Sequence, residues 1–497
     1  MKPVLAVRLL PAALALVSLA AAQPFRVHLA AADGGGVAQV PLERYVAGVL
    51  AGESSVFRSP EALKAMAVAA RTYAVRLRGR HSREGFDFCA TTHCQRVDLN
   101  GIGVRLEEAA SETAGEMLWW EGKPAFTCYT LDCGGRTEDA AAVWPDLAAP
   151  YLRAHEDAWG PRAGASSWEW SADPREIFEA LRASALRAPP ALDRAAITER
   201  TATGRARTLE LSGGGQTVRI SASSFRFAIG RGLGWNTLRS DLYEIRGANG
   251  NLTFTGSGAG HGVGLCQRGA DAMGQAGHSY REILTYYYPG ATLGLTGRGL
   301  SWQRLSGGGM ALLTTRPDTD NALLTVAGRE LRAAVERTGL APPERLQIRV
   351  YPDVETFRNA TGEPGWVAAV TNGGLIELQP PALLRTRGVL DSTLRHELFH
   401  ALMEAHAAPG LPLWFREGLT GYLERPAAQA GARIPSDAEL RQTSDPARAR
   451  RAYADAAAAV AGLVKRYGET TVFGWVTAGL PEEVRKTSSS QAPTKSR

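Results

Sequence analysis

The chain has 497 residues, 44% of them hydrophobic, and a formal net charge of +6. That length exceeds one ordinary core and sets an expectation of two or three domains. Basic residues are spread along the chain rather than gathered into a patch, which excludes nucleic acid as the expected partner.

In chain order, residues 1–22 read as an export signal. Lys2 and Arg8 give a basic start, Leu9 to Val17 is apolar, and Ala20-Ala21-Ala22 before Gln23 offers a small-residue cleavage site. The apolar run is short of the roughly 20 residues a membrane span needs. The expectation is an exported protein of the periplasm, cell envelope or extracellular space. A first domain is expected over 24–296, with strand-like segments alternating with a few helices. Ser59-Pro60-Glu61 opens a helix, with serine as cap, proline in the first turn and glutamate at the positive end. Ala62, Leu63, Met66, Ala69, Ala70 and Tyr73 give it an apolar stripe. A further helix is expected around Pro174 to Ala185, and strands and turns from Ala202 to Phe227, broken at Gly213-Gly214-Gly215. A glycine-rich linker is expected over 297–311. Beyond it, a second domain over 312–480 has helices at Arg329 to Thr338, Val389 to Ala405 and Arg448 to Tyr467, with strands at Leu346 to Tyr351 and Val367 to Leu378. A disordered tail is expected over 481–497.

The sharpest chemical signal is His396-Glu397-Leu398-Phe399-His400. On a helix the two histidines point the same way and can share one zinc ion, with Glu397 beside them to take a proton from water. Of the carboxylates that could complete the set, Glu404 lies about 12 Å along the axis from His396. His406 falls past the helix end. Glu417, in a following apolar helix Trp414 to Leu423, is the expected third ligand. Tyr422 is a weak candidate for oxyanion stabilisation.

The first domain carries three other polar groupings. Glu53 follows the apolar segment Tyr45 to Leu50; partial desolvation there would raise its pKa and suit a general acid, the alternative being a capping or solvent-facing glutamate. Cys89, His93 and Cys94, with His81 upstream, match tetrahedral zinc in a loop; a Cys89–Cys94 disulfide competes. Cys128 and Cys133 read as a disulfide or as free thiols, with cross-pairing between the two clusters open. Gly258-Ala259-Gly260-His261-Gly262-Val263-Gly264-Leu265 is a tight turn or one wall of a cleft, with His261 at its centre.

Several stretches of this first domain resemble the SpoIID/LytB family, the sporulation stage II protein D and amidase-enhancer group. They are VPLERYVAGVLAGE (40–53), PEALKAMAVAARTYAVR (60–76), FDFCATTHCQ (86–95), CGGRTEDAAAVW (133–144), PYLR (150–153) and GHGVGLCQRGADAMGQAGHSYREILTYYYPG (260–290). The resemblance implies a peptidoglycan-directed domain of mixed α/β fold that cleaves glycan strands as a lytic transglycosylase. In the family's other branch the domain enhances a cell-wall amidase. It implies Glu53 as catalytic acid and His81, Cys89, His93 and Cys94 as a structural zinc set. Two departures stand out: Ser54-Ser55-Val56-Phe57 where the family commonly has Met-Pro, and Cys266 where it usually has serine. Tyr351-Pro352-Asp353, Phe357, Gly365-Trp366-Val367, HELFH and LPLWFREGLTGYLE resemble peptidase MA-like gluzincin domains. That implies His396, His400 and Glu417 as zinc ligands, Glu397 as base, and a peptide or protein substrate. The expected fold class is α+β, a mixed α/β SpoIID-like domain followed by a mainly helical, zincin-like α+β domain. The leading expectation is an exported peptidoglycan-remodelling protein with two zinc sites and two activities. The alternatives are a non-catalytic peptidoglycan-binding or amidase-enhancing module fused to a metalloprotease, and a structural envelope protein with structural zinc only.

Overall fold

Ser59 accepts a hydrogen bond from the backbone N–H of Ala62 at 3.4 Å and so starts the helix Pro60–Arg76. In this computed structural model, which describes residues 24–29, 35–53, 56–147, 149–160, 166–248, 250–424, 433–440 and 446–485, that helix is buried on nearly every side. Ala62, Leu63, Ala65 to Ala70 and Ala74 are all at most 1% exposed. A helix apolar all round has to be wrapped by others. The helices Leu42–Glu53, Val104–Glu112, Gln267–Gln275 and Tyr280–Tyr287 pack against it. The alanines let these neighbours approach closely. The export-signal reading of residues 1–22 lies outside the described residues. Among the described residues no helix is long and apolar enough to cross a membrane.

The chain divides into two compact units, Pro24–Gln303 and the part from Arg304 onward. The first unit has mixed α/β composition and two cores. One surrounds the Pro60–Arg76 helix. The other lies between two three-stranded antiparallel sheets, one of Ser167–Ala172, Asn251–Ser257 and Tyr243–Ala248, the other of Arg194–Arg200, Ala206–Gly213 and Gln216–Ser221. Helices Pro174–Ala183 and Ala222–Leu233 complete this second core. The hairpin turn falls at Gly214–Gly215, within the expected glycine triplet. The strand reading up to Phe227 is corrected: Ser221 accepts from Ser224 N at 3.3 Å, and Ala222, Phe225, Ala228 and Ile229 bury one helical face.

The second unit is largely helical around one five-stranded sheet. Its strands lie in the order Gln303–Gly307, Met310–Thr314, Gln347–Val350, Leu375–Leu378, Ala369–Asn372. Three central strands run parallel, and Ala369–Asn372 returns antiparallel at the edge. Two sequence boundaries change. Residues 303–311 of the expected linker belong to the sheet, because Gly308 and Gly309, with φ of +61° and +80°, form the turn of a hairpin. Of the expected tail, residues 482–485 are helical and Val484 is buried; 486–497 lie outside the described residues. The helix expected from Arg329 starts earlier, spanning Ala322–Thr338.

One polar cluster crosses the first core. Arg71 is 0% exposed. Its guanidinium donates to both Glu43 carboxylate oxygens, at 3.0 Å to Oε1 and 2.5 Å to Oε2, and to the carbonyls of Ala110 at 2.9 Å and Glu116 at 3.1 Å. It thereby ties three segments to the central helix. Removing one member of a buried, hydrogen-bonded ion pair costs about 3–5 kcal/mol, because the other groups lose their partner. Arg71→Met is expected to lower the stability of this unit by that amount in denaturant unfolding, and Lys to restore only part of it. A loss below about 1 kcal/mol would mean that the cluster does not stabilise the core.

Candidate functional site

Helix Leu390–Glu404 is committed on two sides. Leu390, Leu394, Leu398 and Ala401 enter the core against the sheet. Phe399, Leu402 and Met403 enter a separate helical core. The remaining face carries His396, Glu397 and His400. Helix Leu413–Glu424 shares the helical core through Trp414, Phe415, Leu419 and Leu423. It can lie close to helix Pro446–Tyr467 because position 418 is glycine; a Cβ there would sit 2.5 Å from the Ala456 carbonyl oxygen.

This packing brings Glu417 to the histidines. His400 Nε2 lies 3.1 Å from His396 Nε2 and 3.2 Å from Glu417 Oε2, and the three donor atoms are all within 4.8 Å of one another. Ligands about 2.0–2.1 Å from one tetrahedral zinc ion stand about 3.3 Å apart, so the donor set and its spacing fit such an ion. Two imidazole nitrogens facing each other with a carboxylate beside them also need a cation or a proton between them. The local field agrees. Against the burial that would lower it, a hydrogen bond with Glu424 and the nearby Glu397 and Glu417 raise His396 to about 9. Burial works to raise Glu417, but His400 and His396 hold it below the usual carboxylate range.

Supporting contacts surround these groups. Glu424 Oε1 lies 3.1 Å from His396 Nδ1, leaving Nε2 to face inward, the arrangement that orients a ligating imidazole. Thr371, on the edge strand, donates to Glu397 Oε2 at 2.7 Å and fixes that carboxylate. A cavity of about 860 Å³ opens over the group, lined by Glu363, Trp366, Thr371 and Tyr453 among others. Burial and Glu397 raise the Glu363 carboxyl. The alternatives weighed for third ligand are engaged elsewhere. Glu404 accepts from Gly373 N at 2.8 Å, and His406 Nε2 bonds the Ala341 carbonyl at 2.8 Å. Tyr422 packs in the helical core under the Arg337 guanidinium and does not line the cavity; Tyr453 does. Sequence reasoning gave Glu424 no role; its only signal was its place two helical turns after Glu417. Thr371, Glu363 and Tyr453 carried no local signal.

In the first unit, His81, Cys89, His93 and Cys94 converge as a second group with donor atoms within 4.8 Å. His81 Nε2 is 3.3 Å from Cys94 Sγ, and His93 Nδ1 is 3.7 Å from Cys89 Sγ and 3.8 Å from Cys94 Sγ. Nitrogen and sulfur ligands of tetrahedral zinc stand about 3.5 Å apart, so this set also fits. Against burial, hydrogen bonds from Thr91 and His93 bring the Cys89 thiol down to about 6, favouring a thiolate. Glu84 Oε1 holds His81 Nδ1 at 2.6 Å. All five cysteines are free thiols, so the structure pairs neither Cys89 with Cys94 nor Cys128 with Cys133.

Glu53 ends helix Leu42–Glu53, and its Oε1 accepts from Arg96 N at 2.9 Å. The Arg96 backbone passes so close to Gly52 that a Cβ there would lie 2.3 Å from the Arg96 carbonyl oxygen. Burial raises the Glu53 carboxyl, and the Arg96 hydrogen bond only partly opposes it. Close by, Tyr45 OH donates to Gln95 Oε1 at 3.1 Å, and Gln95 Nε2 donates to Tyr129 OH at 3.2 Å. Sequence reasoning gave Gln95 and Tyr129 no role. His261 Nδ1 accepts from Val263 N at 3.0 Å, and the ring meets Trp144 edge-on at 5.0 Å. Burial, then Arg226 and Arg205, push it down to about 3, so it is a neutral imidazole with its proton on Nε2. Among the described residues no hydrogen bond or ion pair joins His261 to Glu53.

The comparisons with known proteins fall on this architecture. The family described as SpoIID, stage II sporulation protein, matches residues 33–120. The chain is 30% identical over 287 residues to the stage II sporulation protein D of Bacillus amyloliquefaciens, covering 54% of this chain and 79% of that protein. It is 28% identical over 291 residues to the protein of the same name from Bacillus subtilis, covering 55% and 80%. The amidase enhancer of Bacillus subtilis is 29% identical over 290 residues, which cover 50% of this chain but 40% of that protein. Over part of its length, this chain belongs to the stage II sporulation protein D family.

Proposed function

We propose that the protein is a peptidoglycan-directed module of the amidase-enhancing kind joined to a zinc-dependent, metallopeptidase-like unit, working outside the cytoplasm. The observation that carries it is the convergence of His396, His400 and Glu417 beside Glu397 under an open cavity. The family membership and the likeness to an amidase enhancer support the first half. A zinc ion bound there supplies Lewis-acid polarisation of a carbonyl and lowers the pKa of water. The residues of this chain do the rest. His396, His400 and Glu417, which line the cavity, would hold the ion. Glu397, fixed by Thr371, accepts a proton from water and returns it to the leaving amine. Glu424 keeps the His396 ring oriented. In the first unit, His81, Cys89, His93 and Cys94 would hold a structural zinc ion.

A second reading, a lytic transglycosylase, is favoured by Glu53. A carboxyl whose burial favours the protonated form can donate to the oxygen between N-acetylmuramic acid and N-acetylglucosamine. As carboxylate it then assists the muramyl 6-hydroxyl to close an anhydro ring. The internal nucleophile makes the second carboxylate of a hydrolytic glycosidase unnecessary.

Three experiments separate these readings. The full-length protein is expected to bind two zinc ions. His396→Ala should lose one and Cys89→Ser the other. Glu397→Gln should keep both while hydrolysis of cell-wall peptides or casein falls about 10²–10⁴-fold; full zinc with unchanged hydrolysis would remove Glu397 as base. The protein should raise the rate of a cell-wall amidase on intact sacculi, and Glu53→Gln should leave that enhancement unchanged. Release of anhydromuramyl fragments from glycan strands without stem peptides, lost in Glu53→Gln, would replace this with the lytic reading. Glu53 also gives a pH test. Its folded pKa lies above the unfolded one, so ionisation costs stability, beginning as pH rises through the unfolded value and complete above the folded one. Glu53→Gln, which keeps the acceptor for Arg96 N–H, should therefore raise the thermal midpoint at pH 8, with the gain vanishing near pH 4. An equal gain at both pH values would contradict the desolvated carboxyl.

A further inference from the structure

Cys266 and Cys133 are 133 residues apart in sequence and adjacent in space. Both are 0% exposed. Cys133 N donates to Cys266 Sγ at 3.3 Å, Cys133 Sγ–H donates to Asp157 Oδ2 at 3.1 Å, and the two sulfurs lie within 4.8 Å of each other. The segments that carry them are already laced together. Asp132 bridges Ala259, Thr130 Oγ1 donates to the Ala259 carbonyl at 2.9 Å, and Cys266 pairs with Thr130 in a short parallel ladder. Cys128, the residue directly before Tyr129 of that ladder, is not part of this group of converging donor atoms.

A metal ion fits this group poorly. Two thiolates and the Asp157 carboxylate would bring three negative charges to a place where Asp157 is 4% exposed, one more than a divalent ion neutralises. Asp157 is also already satisfied, accepting from Tyr287 OH at 3.0 Å and from Trp159 N at 3.1 Å. A disulfide removes both thiols without creating charge and leaves those two donors on Asp157. We propose that Cys133 and Cys266 are a disulfide site, closed by a disulfide-bearing oxidant as the chain folds, which fixes the His261 segment covalently to the Cys133-Gly134-Gly135 turn. In that step one thiolate attacks the oxidant's disulfide and expels one of its sulfurs, and the second attacks the resulting mixed disulfide and expels the other. The S–S bond forms, two protons leave, and the oxidant is reduced to two thiols. The bond has to form before the core closes. Once folded, the Cys266 hydrogen bond and burial push the Cys133 thiol far up, and no surface is left for an oxidant to reach.

The full-length chain refolded with glutathione disulfide, alkylated in denaturant and digested without reduction, should yield one fragment joining the peptide of Cys133 to that of Cys266. That fragment should be lighter than the two free peptides by two hydrogen atoms. Cys128 and Cys133 share a tryptic peptide, so fragment-ion sequencing has to place the bond. The oxidised protein should melt about 5–15 °C above the same protein refolded in reductant, as expected for a bond closing a long loop. Cys266→Ser, whose hydroxyl can still accept from Cys133 N, should abolish both the linked fragment and the difference; Cys128→Ser should change neither. Alkylation of both Cys133 and Cys266 in the oxidised wild type, denatured without reduction, would overturn the proposal. So would a bond from Cys266 to Cys128, or a zinc ion lost in Cys133→Ser; the wild-type peptide map decides even if a variant does not fold.

Discussion

Two histidines one turn apart can offer two imidazoles to an ion, but no single helix can close a tetrahedral site with them. A third protein donor has to come from another segment held at contact distance, here the helix Leu413–Glu424. The second unit depends on that constraint. Helix Leu390–Glu404 spends two of its faces on two different hydrophobic cores, so its third face cannot turn away from the cavity. Helix Leu413–Glu424 is held by one of those cores and approaches its neighbour only because Gly418 has no side chain. The distances of 3.1 and 3.2 Å among His396, His400 and Glu417 are thus consequences of apolar packing set up by residues that never touch a ligand.

The first unit uses polar groups inside its core in a different way. Arg71, Glu43 and the carbonyls around them make an ionic knot that ties surrounding segments to a helix made mostly of alanine, which has little side-chain shape of its own to specify how neighbours dock. Glu53, at the end of one of the docked helices, is held in partial burial by a single backbone N–H. A carboxyl there costs stability when ionised.

How much of this was readable in the sequence depended on the range of the interaction. The His396, Glu397 and His400 grouping and the Pro60 helix were legible because helical spacing is local. Glu417 was reachable by extension, since the following apolar helix had to pack somewhere. The four-residue set of His81, Cys89, His93 and Cys94 was legible as a spacing, and the structure brings its atoms together. Thr371, Glu363 and Tyr453 were not legible, because strand and helix packing far along the chain brings them to the cavity. The meeting of Cys133 with Cys266 was hidden for the same reason, and pairing by proximity in sequence pointed to Cys128 instead. The linker was misjudged where glycines serve a hairpin turn rather than a flexible joint. Composition cannot distinguish those uses, whereas the run Met310–Thr314, buried along its whole length beside a parallel strand, decides between them.

The central claim is that two separate sets of side chains in this one chain each hold zinc. Diffraction from crystals of the full-length protein, collected on both sides of the zinc absorption edge, tests it most directly. The account predicts two anomalous peaks, one bounded by His396, His400 and Glu417 and one by His81, Cys89, His93 and Cys94. A peak at the four-residue set with none between the two histidines, in crystals grown with zinc present, would contradict it.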